Sequence, residues 1–531
     1  MALAAAATAA IVTTRGERTS APLVASSSSQ SWRAVLAPRP QVDVGQRVIV
    51  VLKTPSLGER VASTPGGLDI DQEQAWTKVE LSAQRLLLAR LAVQGVVVHA
   101  EEHFARVLDG FAAAIPPSIV PIVERDANVA GVYPVRVAYP ASIASGASSA
   151  DAAELGDPLA SAGVDGRGVT IALLDTGVDR GAALLSGRLL PEIDVAPAGS
   201  DVHGTETAGV IARVAPGASM LPIRVAGAYA RSDQLIAGLE RAVDPNGDGD
   251  AHDAVRIALV ALAEPFAGFA DGPEALAVAG ARALNVLVVA AAGNDGPAGA
   301  SYGDVAAPGG APFALTVGAL DTRGRVAESR VVIHSGLRTL FDATVPLAGD
   351  VIPTRAVRLP LVAPNGPYFT RRGGSVVAGR AALLPASATA DAAAQAGASA
   401  VLLYGDSLVP AGALGGAIRV PAVSIPRTVA RTVLARVGRG APVTVTIGAG
   451  HRAQNADAGR VAGFSSTGLA FDGSVKPDIV APGIAVPASG GLVADGSSVA
   501  AAVAAGSAAL LAQTRPSLGA DAIAALLVGT A

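Results

Sequence analysis

The chain has 531 residues, of which 50% are hydrophobic and 3% aromatic. Its formal net charge is -4, from 40 basic and 44 acidic residues, so charge gives no indication of a nucleic-acid-binding surface. Because the chain contains no cysteine, disulfide bonds, zinc–thiolate sites and cysteine nucleophiles are excluded. The length predicts more than one domain.

The first 45 residues show two kinds of composition. The opening "MALAAAATAAIV" is similar to the apolar core of a signal peptide, although no basic residue precedes it. Serine, proline and arginine then dominate, which is typical of a linker. We therefore predict residues 1–45 to be a degenerate signal peptide and linker of a secreted protein. The apolar stretch 499–512 is too short for a membrane span, and none is predicted.

Residues 46–140 form a compact α+β unit in this prediction. "RVIVVLK" (47–53) has the pattern of a strand, 71–95 that of an amphipathic helix, and further strands and a short helix follow. The small residues of 141–158 predict a linker and a cleavage region.

The pattern of predicted strands and helices changes after residue 159. Continuous apolar strands alternate with helices, which predicts an α/β domain with a parallel sheet covered by helices on both faces. Residues 336–450 interrupt this pattern with several short strands and are predicted to be an inserted β-rich domain. The first part of the α/β domain is thus 159–335 and the second part 451–531.

Candidate chemical groups lie at the ends of the predicted elements. Asp175 follows a buried strand, His203 precedes a helix, Asn294 follows another strand, and Ser497 and Ser498 open an alanine-rich helix. Each has a structural alternative: a turn cap for the aspartate, a structural histidine, a Gly-Asn turn, and a serine N-cap. Their joint occurrence favours nucleophilic catalysis, because a serine needs a base and a histidine needs a carboxylate that holds its tautomer.

The segments around these residues resemble the motifs of subtilisin-like serine peptidases, the subtilases. "DTGVD", "HGTETAG", "AAGNDG" and "GSSVAAA" are similar to the family's aspartate, histidine, oxyanion and serine motifs. "FSSTGLAFDGSVKPDIVAPG" (464–483) resembles a longer family segment. Segment 46–140 is similar to the inhibitor-like propeptide of subtilases, and 336–450 resembles a protease-associated domain.

The resemblance implies a role for each candidate residue. Asp175 would orient His203, His203 would act as general base and acid, and Ser498, third in its motif, would be the nucleophile. Asn294 would stabilise the oxyanion. The implied activity is that of a serine endopeptidase that hydrolyses polypeptides, needs no cofactor, and is made as a zymogen inhibited by its own propeptide.

The substrate strand matches the family less well. Ala258, Leu259 and Val260 best fit the place of the family's Ser-Leu-Gly strand, whose backbone pairs with the substrate. Val260 is expected to crowd the neighbouring pocket, which would suit the small side chains of Ala141, Ala144 or Ala147 at the cleaved bond.

The loop "DPNGDGDAHD" raises the question of a metal. Asp244, Asn246, Asp248 and Asp250 alternate around a glycine as in a calcium loop, but the twelfth position is Val255 and not glutamate. A structural calcium ion and a solvated acidic turn both remain open.

Two further interpretations stand beside the peptidase. A subtilase-like scaffold that binds polypeptides without cleaving them is favoured by the altered 258–260 strand. A nucleotide-binding α/β protein would need a glycine-rich phosphate loop, and "LLDTGVD" supplies only one glycine.

Overall fold

The computed structural model describes residues 42–143, 155, 163–197, 202–266, 269–296, 303–386, 390–405, 408–409, 411–412, 414, 418–489 and 493–531. The predicted signal peptide and most of the predicted linker 141–158, including Ala144 and Ala147, lie outside these residues.

The N-terminal domain (42–134) is an antiparallel sheet with helices packed against it. Its elements are β1 (Arg47–Leu52), α1 (Leu57–Ser63), α2 (Ile70–Val93), β2 (Ala100–Phe104), β3 (Gly110–Ala114), α3 (Val120–Glu124) and β4 (Val129–Pro134). The strand order is β2-β3-β1-β4. Helix α2 begins with a capping box between Asp69 and Gln72, and its Leu87 and Leu91 are buried in this domain's core.

The segment that follows leaves this domain. Residues 135–143, here called the cleft segment, contain β5 (Val137–Pro140) and β6 (Ser142–Ile143), and neither strand belongs to the N-terminal sheet. The sheet of the N-terminal domain thus ends at Pro134, and the last residues of the predicted segment 46–140 pair with the main domain instead.

The main domain (163–324 and 455–531) alternates strands and helices. Its first part contains β7 (Thr170–Asp175), β8 (Ile193–Asp194), α4 (His203–Val214), β9 (Ser219–Arg224), β10 (Ala230–Arg231), α5 (Ser232–Val243), β11 (Ile257–Val260), β12 (Leu262–Ala263), α6 (Pro273–Ala283), β13 (Leu287–Ala291) and β14 (Leu315–Asp321).

The inserted domain (325–454) follows β14. It contains β15 (Arg325–Ser335), β16 (Arg338–Pro346), β17 (Val357–Val362), β18 (Ala381–Pro385), α7 (Ala390–Gln395), β19 (Ala400–Gly405), β20 (Ala422–Pro426), α8 (Arg427–Val437), β21 (Val443–Ile447) and β22 (His451–Gln454). The sheet order is β16-β15-β21-β17-β18-β19-β20, with β22 paired to β15. The predicted insertion 336–450 is too short at both ends, because β15 and β22 belong to this sheet.

The chain then returns to the main domain. The last elements are β23 (Arg460–Val461), β24 (Gly468–Leu469), β25 (Val475–Lys476), β26 (Ile479–Pro482), β27 (Val486–Pro487), β28 (Val493–Gly496), α9 (Ser497–Thr514) and α10 (Ala520–Thr530).

The main sheet has the order β23-β14-β13-β11-β7-β9-β8, with β26 beside β14. All of its described pairs are parallel except that of β23 with β14. Buried side chains of α4, α9 and α10 form a core on one face, and those of α5 and α6 form a core on the other. The predicted α/β fold, a parallel sheet with helices on both faces, is confirmed.

Helix α9 runs through the centre of this domain. It is long and apolar enough to cross a membrane, but 72% of it is buried inside the protein. Its composition follows from its position as a core helix, where alanine and valine pack against the sheet.

Candidate active site

Asp175 and His203 meet at one edge of the main sheet. Asp175 is the last residue of β7 and His203 the first residue of α4. The Nδ1 atom of His203 lies 2.6 Å from the Asp175 carboxylate, and both side chains are buried. Because the carboxylate accepts a hydrogen bond, Nδ1 carries the hydrogen and Nε2 offers its lone pair.

Ser498 completes this arrangement from the start of α9. Its Oγ lies 3.0 Å from His203 Nε2. The helix N-cap is Gly496, which makes no side-chain cap, so neither serine takes the N-cap role. The Ser497 hydroxyl accepts a hydrogen bond from the backbone N–H of Gly293, so it holds a neighbouring loop.

Asn294 lies directly behind the helix start. It follows β13, is buried, and its Oδ1 accepts a hydrogen bond from Ser497 N at 3.0 Å. Because Oδ1 is the acceptor here, the amide NH₂ is the group of this side chain that can donate at the N-terminus of α9, where backbone N–H groups also favour negative charge. The structure thus brings together the four residues that the motifs predict.

The cleft segment occupies this site. Strand β5 lies between β10 and β12 and is antiparallel to both: Ala138 pairs with Ala230, and Tyr139 pairs with Ala263. Beyond the serine, Ser142 pairs with Gly496. The chain therefore crosses the site fully extended, as an added β-strand, which is how extended peptides bind to exposed sheet edges.

Ala141 is the residue that meets the serine. Its N–H donates to Ala261 O at 3.1 Å, and its carbonyl oxygen accepts a hydrogen bond from Ser498 N at 3.1 Å and lies 2.8 Å from Ser498 Oγ. A Cβ at Gly496 would lie 2.3 Å from this carbonyl oxygen, so only glycine permits the approach. The carbonyl group of Ala141 thus lies against the hydroxyl group and the backbone N–H of Ser498.

The predicted substrate strand is wrong by a few residues. Ala258, Leu259 and Val260 belong to β11, whose two edges pair with β7 and β13, and all three are fully buried. They have no free edge for a substrate. Strand β12 pairs with the cleft segment instead, because the chain leaves the main sheet after Val260.

The acidic loop uses its carboxylates in hydrogen bonds. Asp244 accepts bonds from the N–H groups of Gly247, Asp248 and Gly249 and pairs with Arg106 of the N-terminal domain. The positive charge of the Arg106 guanidinium group disfavours the binding of a cation by Asp244.

The other members of the loop are engaged as well. Asn246 donates to Asp248, and Asp250 accepts from Gln74. Ligand atoms of Asp250 lie within 4.8 Å of those of Glu73 and His252. Calcium binding by Asp244, Asn246, Asp248 and Asp250 stays a prediction.

A buried carboxylate holds the N-terminal domain against the main domain, and sequence reasoning missed it. Glu240 of α5 accepts hydrogen bonds from three successive backbone N–H groups, those of Ala105, Arg106 and Val107, at 2.7–3.1 Å. The Arg106 guanidinium group lies 3.4 Å from the same carboxylate.

Helix α2 carries buried polar side chains inside the N-terminal domain, near this contact. Gln84 donates to Phe104 O at 2.7 Å and to Asp109 at 2.8 Å. Both carboxylate oxygens of Glu80 are buried without a hydrogen-bond partner among the described residues. Burial, reinforced by Asp109 and Glu240, raises the pKa of Glu80 from 4.5 to about 10, so it is protonated here. A sequence signal for this burial exists, because Glu80 and Gln84 lie on the same helix face as the buried Leu87 and Leu91.

The comparison with known proteins agrees with this geometry. The model of the subtilase family matches residues 166–531. The minor extracellular protease Vpr of Bacillus subtilis (strain 168) is 26% identical over 91% of this chain and 63% of its own length. Subtilisin BL of Lederbergia lenta is 31% identical over 30% of this chain and 58% of its own length. The chain thus spans less than two thirds of each of these relatives, and it belongs to the subtilase family.

Proposed function

We propose that this protein is a secreted serine endopeptidase, made as a zymogen, that first cuts its own chain between Ala141 and Ser142. The observation that carries the proposal is the Ala141 carbonyl oxygen within 2.8 Å of Ser498 Oγ, in a segment paired on both sides like a substrate. Family membership and the printed names of the two proteases support the activity.

The proposed acylation uses only side chains of this protein. Ser498 Oγ attacks the carbonyl carbon of Ala141, and its proton passes to His203 Nε2. Asp175 keeps the imidazole in the required tautomer and stabilises its positive charge. His203 then donates the proton to the Ser142 nitrogen, and the peptide C–N bond breaks.

The oxyanion and the deacylation follow from the same arrangement. Negative charge develops on the Ala141 oxygen, which already accepts a hydrogen bond from Ser498 N. The amide NH₂ of Asn294 would supply the second donor. A water molecule then hydrolyses the acyl-enzyme, with His203 again acting first as base and then as acid.

The cut alone does not free the cleft. After cleavage, the N-terminal domain stays attached through β5 and through the bonds from residues 105–107 to Glu240. We therefore propose that segment 46–140 inhibits the enzyme until it dissociates. The predicted cleavage region, 141–158, includes the Ala141–Ser142 bond.

The alternative of a non-cleaving scaffold loses its main support. That reading depended on Ala258, Leu259 and Val260 altering the substrate pocket, and these residues lie inside the main sheet. Secretion is supported by the apolar opening of the sequence and by the word "extracellular" in the name of Vpr.

Replacement of the serine tests the proposal. Ser498→Ala should leave the chain uncut, whereas the wild type should yield a mature protein whose N-terminal sequence begins at Ser142. Ser507→Ala, on the same helix, is the matched control, because its Oγ only donates to Val503 O. Normal maturation of Ser498→Ala without added protease, or a wild-type cut far from Ala141, would overturn the proposal.

A further inference from the structure

Arg136 enters the cleft five residues before Ala141, and its backbone is fixed there. Its N–H donates to Ser232 Oγ at 3.0 Å, and its carbonyl accepts from Ser232 N at 3.0 Å. Ser232 is fully buried at the start of α5. Two bonds to a buried residue set the direction in which the side chain at this position leaves the strand.

The Arg136 side chain enters a site built by the main domain. Its Nη1 lies 3.3 Å from Glu264 Oε1, and its guanidinium carbon lies 4.8 Å above the centre of the Phe269 ring. Phe269 is itself stacked on Phe471, with ring centres 4.6 Å apart. A carboxylate on one side and an aromatic face on the other match the planar, cationic guanidinium group.

Glu264 is positioned by the strand that binds the cleft segment. It directly follows β12, and its backbone exchanges two hydrogen bonds with Ala307, at 2.9 and 3.0 Å. Its side chain is only 3% exposed, whereas that of Arg136 is 40% exposed. The carboxylate is therefore a fixed part of the main domain, and the arginine is its exchangeable partner.

The carboxylate lacks enough partners from its own domain. In the described part of the chain, its Oε2 has no hydrogen-bond donor. Its neighbour from α6 is Glu274, a second carboxyl group, which interacts with Glu264 through like charge and a side-chain hydrogen bond. Like charges cannot compensate one another, so a cation in the cleft is the favourable occupant of this site.

We propose that Glu264 and Phe269 form a subsite for a basic side chain, and that the enzyme prefers polypeptides with arginine five residues before the residue whose carbonyl is attacked. The inference rests on the proposed peptidase function and adds a substrate class to it. Glu264 and Phe269 act on substrate binding and not on the chemical step.

The preference should depend on pH. Burial raises the pKa of Glu264 well above its ordinary value, Glu274 raises it further, and Arg136 lowers it. Only the ionised form attracts a cation strongly. The preference for arginine should therefore increase with pH as Glu264 loses its proton. A preference that came only from packing of the arginine side chain would not change with pH in this way.

Two peptides test the subsite on the self-processed wild-type enzyme. One has the sequence of residues 135–145, "VRVAYPASIAS", and the other has glutamine in place of arginine. We expect kcat/KM to be about tenfold higher for the arginine peptide, through KM, since a hydrogen bond to a charged group contributes on this scale. Glu264→Gln should bring the ratio close to one, while Asp271→Asn, an exposed neighbour, should keep it.

A second variant separates charge from stacking. A lysine peptide should be cut between the other two, and Phe269→Leu should reduce the advantage of arginine over lysine. Equal kcat/KM for the arginine and glutamine peptides, or an unchanged ratio in Glu264→Gln, would overturn the subsite and leave the peptidase activity standing. If wild-type enzyme cut neither peptide, the proposed function itself would fall, and the subsite with it.

Discussion

The N-terminal part of the chain contacts the main domain in two different ways. The cleft segment is held mainly through its backbone, by strands on both sides. The N-terminal domain is held through buried charged and polar groups, with Glu240 accepting three backbone N–H bonds. Backbone pairing along the cleft tolerates many side chains, as a peptidase requires, whereas the buried carboxylate needs a loop that presents three N–H groups and a guanidinium group together.

The two contacts also differ in what breaks them. The proposed cleavage after Ala141 would divide the cleft segment but leave every contact of Glu240 in place. Conversely, a change at Glu240 weakens the attachment of the domain without touching Ser498. Chemistry and release are therefore separable, and each of the following experiments alters one of them.

The largest effect is expected at the chemical step. Asn294→Ala removes the proposed side-chain donor to the oxyanion, and removal of one such donor lowers kcat about 10²–10³-fold. KM should change little, because the oxyanion exists only beyond the ground state and the pairing of β5 with β10 and β12 is untouched. Steady-state kinetics on a peptide substrate measure both constants.

The control for this variant lies on the same helix as the nucleophile. Ser507→Ala should retain the wild-type kcat. A large rise in KM at unchanged kcat in Asn294→Ala would show that Asn294 binds the ground state instead. Because Asn294 also accepts a bond from Ser497 N, thermal unfolding of the variant checks that the helix start remains folded.

The residues of the proposed chemical step could be singled out from the sequence, whereas those of the docking contact could not. Asp175, His203, Asn294 and Ser498 each lie in a short motif at the end of one element, and the fold only has to bring those ends together. Glu240 and Glu80 carry no such motif. A carboxylate on a helix normally indicates an exposed face, and its burial depends on a domain distant in sequence.

The position of the substrate strand and that of the cleaved residue show a different limit of prediction from sequence. The apolar run 257–263 continues through β11 and β12 without alternation, so nothing local marks where the chain leaves the main sheet. Likewise, Ala141, Ala144 and Ala147 all suited the proposed cleaved position in the sequence. Only the length of chain between β4 and Ser498 selects Ala141. Register is a property of pairing in three dimensions.

The next effect concerns the attachment of the N-terminal domain. Glu240→Gln replaces a charged acceptor by an amide, and it leaves the Arg106 guanidinium with one partner fewer. Hydrogen bonds to a charged group contribute enough for affinity to fall about 10- to 100-fold. The rate at which activity appears on dilution of the self-cleaved protein should rise accordingly.

Glu328→Gln, in the inserted domain, serves as the control and should release the N-terminal domain at the wild-type rate. Maturation at Ala141 should also proceed in Glu240→Gln once the chain has folded. If release is unchanged in this variant, the cleft segment alone holds the domain, and the contrast between the two contacts is wrong.

The smallest effect is a pH dependence of the docked state. The pKa of Glu80 is raised from 4.5 to about 10 by burial, by Asp109 and by Glu240, against the opposing effect of Arg106. Because Glu240 belongs to the main domain, docking contributes to this rise and therefore takes up protons, so its contribution is largest at low pH and is lost as pH rises towards 10, by at most tenfold per pH unit. Burial raises the pKa of Asp109 to about 7, which adds a pH dependence of the same sign.

The variant Glu80→Gln tests this, because its side chain is neutral at every pH and it should flatten this part of the dependence. Glu124→Gln replaces an exposed carboxylate of the same domain and should not flatten it. Release rates of the self-cleaved protein between pH 6 and pH 9 decide the matter: if the Glu80→Gln and wild-type profiles run parallel, Glu80 does not couple docking to protons.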